Sequence, residues 1–133
     1  MSPGVRQRKE PIKLLMVDDE TGFVDILSKR LELRDIEPTK TYSGTEAVQC
    51  MRGKSFDVAL LDLKMADLDG FETLKIMKTL DPKMPVIMLS GHGSDESVQE
   101  AMALGALTFL TKPYELDDLI EEIKKAADLN PGS

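Results

Sequence analysis

Tryptophan is absent from this 133-residue chain, and cysteine and histidine occur once each, as Cys50 and His92. A single cysteine excludes an internal disulfide framework and suits a reducing compartment. Cys50 shares a helical stretch with Ala47 and Met51, the setting of a packed thiol. No apolar run approaches the roughly 20 residues that span a bilayer. Arg6, Arg8 and Lys9 are followed by none of the apolar core of a secretory signal. The expectation is a protein of the cytoplasm, without a membrane partner. Positive charge is also short. Lys and Arg number 17 against 24 Asp and Glu, a net charge of −7, which argues against direct contact with nucleic acid.

What is present describes a soluble globular chain of one domain, with 41% hydrophobic and 31% charged residues. Residues 1–11 read as a flexible basic leader, 12–128 as the folded domain, and 129–133, ending Asn130-Pro131-Gly132-Ser133, as a disordered tail. Inside the domain, short apolar runs alternate with helical patterns five times. Strands are expected near 12–17, 36–41, 57–62, 86–90 and 107–110. The first helix, near 21–33, shows Phe23, Ile26, Leu27 and Leu31 at helical spacing. The second opens on Ser43 with Glu46 three residues on, a capping box. The third starts near Asp69 and buries Phe71, Leu74 and Met77. The fourth runs from Ser94 to Leu104, with Gly105 as a left-handed cap and Met102 in the packing. The fifth follows Pro113, with Leu116, Leu119, Ile120 and Ile123 at i, i+3, i+4 and i+7.

Five alternating units imply an α/β fold, a doubly wound parallel sheet with helices on both faces. Pro38 lacks a ladder donor and places the second strand at an edge. That favours the flavodoxin-like order 2-1-3-4-5, whose switch point lies between strands 1 and 3. Ligands of such sheets bind beyond the carboxyl ends of the strands. Asp18, Asp19 and Glu20 follow the first strand, Asp62 the third, Ser90 the fourth and Lys112 the fifth. Converging carboxylates repel one another, and a hard divalent cation such as Mg²⁺ relieves that cost. Lys112 adds a point charge for phosphate, Ser90 a hydroxyl donor, and a carboxylate a nucleophile. Together these are the requirements of phosphoryl transfer. Any one of them alone is more often a helix cap or a solvated loop residue.

The segments Leu14–Glu20, Ala59–Gly70, Val86–Gly91 and Gly105–Pro113 resemble the motifs of response-regulator receiver domains, similar to the chemotaxis-type single-domain regulators. The likeness covers Ile12 to about Ala127. It implies that Asp62 accepts a phosphoryl group and that Asp19 binds Mg²⁺ directly while Asp18 holds it largely through water. It implies the Lys64 backbone carbonyl as a further ligand, and Ser90 and Lys112 as partners of phosphoryl oxygens. Ser90 and Phe109 then fall at switch positions. Lys64 and His92 stand where side chains gate hydrolysis, and the Lys112–Pro113 peptide is expected to be cis. Two departures stand out. Ala66 replaces a frequent proline, and Leu107 and Thr108 replace acids found in relatives that dimerise through the fourth helix, fifth strand and fifth helix.

The resulting expectation is a phosphorylation-activated signalling switch of a two-component system. It would take its phosphoryl group from a histidine kinase or phosphotransfer protein and act on an output domain or target that the sequence does not name. It would catalyse only its own phosphorylation and dephosphorylation. Two rivals are a Mg²⁺-dependent phosphatase working through an aspartyl phosphate, and a receiver-like adaptor that is never phosphorylated. The phosphatase needs a second acid close behind the nucleophile, yet Asp67 is five residues on. The adaptor would normally have lost the acidic pair, the acceptor or the lysine.

Overall fold

The computed structural model describes residues 10–65 and 67–130. Most of the basic leader, Ala66 and residues 131–133 lie outside the described residues. The elements alternate as β1 (Ile12–Val17), α1 (Thr21–Glu32), β2 (Ile36–Thr41), α2 (Gly44–Gly53), β3 (Val58–Leu61), α3 (Gly70–Leu80), β4 (Val86–Ser90), α4 (Asp95–Ala103), β5 (Thr108–Thr111) and α5 (Leu116–Leu129). All four strand pairings are parallel, and the order is β2-β1-β3-β4-β5. Pro38 lies on the edge strand β2, in register with Leu14, as its missing donor requires.

Both faces of the sheet are covered, so the central strands are largely apolar, with Lys13 near the start of β1 and Ser90 at the end of β4 the exceptions. Ile12, Leu14 and Met16 of β1 join Leu60, Ile87 and Leu89 under α1 and α5. Leu15, Val17, Ala59, Leu61 and Met88 face the opposite way, under α2, α3 and α4. This is the two-residue period of strand side chains serving two separate cores.

The helix starts follow their caps. Ser43 accepts from the Glu46 N–H, Asp69 from Glu72 and Ser94 from Ser97. Gly105 has φ 106°, the left-handed conformation expected after α4. The Lys112–Pro113 peptide is cis. Cys50 packs against the second core.

Three expectations need correction. Ile26 is 60% exposed, because the buried stripe of α1 is Val24, Leu27, Ser28 and Leu31. Met102 is 44% exposed, since α4 sends only Ala101 fully into the core. The fold also reaches past residue 128. Leu129 closes α5, and Asn130 is buried with its amide donating to the Phe56 and Asp57 carbonyls.

Candidate functional site

Four loops meet at the carboxyl edge of the sheet, and backbone bonds fix their heights. The Asp62 N–H donates to the Val17 carbonyl at 2.9 Å, continuing the β1–β3 ladder one residue beyond β3. The Asp18 N–H donates to Thr41 at 3.2 Å and the Lys112 N–H to the Ser90 carbonyl at 3.0 Å. Asp18, Asp62, Ser90 and Lys112 are therefore brought to one level, across the switch point between β1 and β3.

Asp62 is 4% exposed and Ser90 is fully buried. Burial, reinforced by the nearby Asp18 carboxylate, raises the Asp62 pKa above its ordinary value. The Ser90 hydroxyl, the Lys112 charge and the Leu63 N–H, 2.9 Å from Asp62 Oδ1, work against that rise without cancelling it. Ser90 Oγ accepts from the His92 N–H at 3.1 Å, which leaves its own hydrogen for Asp62. The site thus contains a buried carboxylate whose charged form is disfavoured, a state that added positive charge relieves.

Lys112 Nζ donates to Asp18 Oδ2 at 2.7 Å and to Glu20 Oε1 at 3.0 Å, and lies 4.1 Å from the centre of the Phe23 ring. Burial is the largest single influence on its pKa and acts to lower it. The bonds to Asp18 and Glu20, with the charges of Asp18 and Asp62, together outweigh burial and hold the ammonium above its ordinary value.

Carboxylate oxygens of Asp18, Glu20 and Asp62 all lie within 4.8 Å of one another. Such a cluster of hard oxygen donors fits Mg²⁺, which binds through a few carboxylates and keeps several waters. Glu20 joins Asp18 and Asp62 in this cluster, and Asp19 is exposed on the same loop. Asp18 turns inward because its Oδ1 accepts the Glu20 N–H at 3.0 Å. Lys112 then draws the Glu20 carboxylate to the same side. The triplet Asp18-Asp19-Glu20 was visible in the sequence, but the partner that selects among its members is remote from it along the chain.

Lys64 and His92 are exposed on the loops after β3 and β4, at the same edge. Phe109 is half-buried beside the second core. A side chain at Gly93 would bring its Cβ within 2.6 Å of the Phe109 ring, so ring and loop are in close contact. Two features of the acceptor loop were not anticipated. A Cβ at Gly70 would lie 2.6 Å from the Asp62 carbonyl oxygen, so α3 can press against this loop only through a glycine. Asp67 accepts the Gly44 and Thr45 N–H groups at the start of α2, at 3.3 and 3.2 Å. Its pKa is lowered to about 2, first by the Leu68 N–H and then by these bonds to Thr45 and Gly44.

Fold and site together define a phosphoryl-accepting signalling module. The response regulator receiver domain family matches residues 14–124, and the chain belongs to that family. It is 33% identical over 113 residues to sporulation initiation phosphotransferase F of Bacillus subtilis, covering 85% of this chain and 91% of that protein. It is 38% identical over 115 residues to the transcriptional regulatory protein ZraR of Salmonella typhimurium, covering 86% of this chain but 26% of that protein. The chain thus spans about a quarter of the length of such transcriptional regulators. Among solved structures, a CheY-like receiver domain from Methanospirillum hungatei superposes with a TM-score of 0.88 at 30% identity, over 92% of this chain and 98% of that one. The chain is a phosphorylation switch of the two-component class. Among the described residues, no helix is long and apolar enough to cross a membrane.

Proposed function

We propose that Asp62 is the phosphoryl acceptor and that the domain works in the cytoplasm, taking the group from a histidine kinase or phosphotransfer protein. The observation that carries this is a buried carboxylate with a raised pKa, set between a hydroxyl donor and a lysine ammonium. In the transfer, an Asp62 carboxylate oxygen attacks phosphorus, the N–P bond of the phosphohistidine breaks, and the imidazole leaves with the bonding electrons and takes up a proton. Ser90 donates to one phosphoryl oxygen and Lys112 to another. Mg²⁺, when bound, would spread the charge of the transferring group. We assign its ligands to Asp18, Asp19, Asp62 and the Lys64 carbonyl. Glu20 is the further candidate, from its place in the carboxylate cluster. Lys64 and His92 border the path of the hydrolysing water and set the lifetime of the acyl phosphate, and Phe109 reports the event to β5. Catalysis is confined to the domain's own phosphorylation and dephosphorylation, and the output target is a separate protein or domain.

The phosphatase reading loses its second acid, because the Asp67 carboxylate is occupied by the start of α2. Incubation with a small phosphodonor and Mg²⁺ tests the proposal by intact mass. One phosphoryl group is expected on the wild type and none on Asp62→Ala. Equal labelling of both proteins, or full labelling in excess chelator, overturns the assignment.

A further inference from the structure

We propose that Glu20 is a positioning residue that holds the Lys112 ammonium before phosphorylation and releases it to the phosphoryl group. This rests on the reading of Asp62 as acceptor. An ammonium has three hydrogens. In the unphosphorylated protein Asp18 takes one at 2.7 Å, Glu20 takes another at 3.0 Å, and the Phe23 ring faces the charge at 4.1 Å. A phosphoryl oxygen arriving on Asp62 therefore competes with these partners for Lys112.

The two carboxylates are not equally displaceable. The Asp18 side chain is 8% exposed, and its other oxygen is tied to the Glu20 N–H at 3.0 Å. Breaking its ion pair leaves a buried charge without its counter-ion, the costly case. The Glu20 side chain is 62% exposed. Once released, its carboxylate is hydrated at little cost. Exchange therefore takes place at Glu20, while Asp18 keeps its bond and acts as the pivot for the lysine stem. The carboxylate that stabilises the resting lysine thus competes with the phosphate for it.

Two substitutions separate contact from charge. Glu20→Gln keeps the reach of the side chain and removes its charge. Glu20→Asp keeps the charge and shortens the side chain by one methylene, which breaks the contact with Lys112. Phosphorylation by phosphoramidate, with Mg²⁺ at a concentration that saturates each variant, is followed by intact mass across donor concentrations. The rate at saturating donor is expected to rise about two- to fivefold in both variants, the range of one exposed ion pair. The half-saturating concentration is expected to fall only in Glu20→Gln. In lysine labelled with ¹³C at Cε, the Lys112 signal should move in both unphosphorylated variants. A faster rate in Glu20→Gln alone assigns the effect to bulk charge and overturns the clamp. Wild-type or slower saturating rates in both variants, or an unmoved Lys112 signal, overturn it as well. An Asp62→Ala control that labels at the wild-type rate would instead sink the acceptor reading, so the two failures are distinguishable.

Discussion

At the scale of single residues, the site is destabilised by its own buried negative charge. Asp62 is buried beside Asp18, and its folded pKa lies above the unfolded value near 3.8. For a carboxyl group this sign means that the native state binds its proton more tightly than the unfolded chain does. Stability therefore falls as the pH rises through the window from 3.8 to the raised value, and the cost is full at neutrality. Asp62→Asn removes the charge and keeps the shape. In chelator at pH 7 it is expected to stabilise the domain by about 1 kcal/mol, or roughly 3–5 °C in Tm. The gain should shrink as the pH is lowered toward 3.8. Thermal unfolding of both proteins across that range checks it, and a neutral or destabilising effect at pH 7 would contradict the strain assigned to Asp62.

At the scale of elements, the acceptor loop is held at both ends. Gly70 lets α3 approach the Asp62 carbonyl, and Asp67 ties the same loop to the first N–H groups of α2. A depressed carboxyl pKa has the opposite sign to that of Asp62. The stability Asp67 contributes is complete above 3.8 and is lost as the pH falls through about 2. Asp67 is exposed, so the contribution is modest. Asp67→Asn is expected to cost about 0.3–1 kcal/mol at neutral pH, the worth of an exposed acidic charge at a helix N-terminus. That cost should be largely gone near pH 2, as urea unfolding at the two pH values would show. These ties also mark where sequence reading stops. The strands, their order and the starts of three helices were legible, because side-chain period, Pro38 and the Ser43, Asp69 and Ser94 positions are local. The partners of Glu20 and Asp67 were not, because one is Lys112 and the other is the start of α2, both distant in the chain. The exposed side of α1 was misjudged at Ile26 for a related reason. Apolar spacing defines an arc, and the sheet decides which edge of that arc is buried. Asn130 escaped notice because its partners are the carbonyls just before β3.

At the scale of the whole molecule, the role proposed for Lys112 is to turn charge at the sheet edge into conformation. Its N–H extends the β4–β5 ladder to Ser90, its ammonium reaches across to the β1 loop, and Phe109 lies three residues upstream on β5. On that proposal, drawing the ammonium toward Asp62 would pull on β5, where Phe109 meets the β4–α4 loop at Gly93. Beyond that loop lie the exposed apolar side chains of Met102 and Leu107. Lys112→Ala separates binding from transmission. The carboxylates of Asp18, Glu20 and Asp62 remain, so Mg²⁺ should still bind, and with higher affinity because a competing cation is gone. A phosphoryl mimic such as beryllofluoride with Mg²⁺ should perturb the amide signals of the wild type from the site through β5 to α4. In Lys112→Ala the perturbation should be confined to residues beside Asp62, since one oxygen of the new dianion lacks its partner. If the variant instead shows the full wild-type response along β5 and α4, the signal travels without Lys112, and Ser90 with its His92 contact becomes the route that remains.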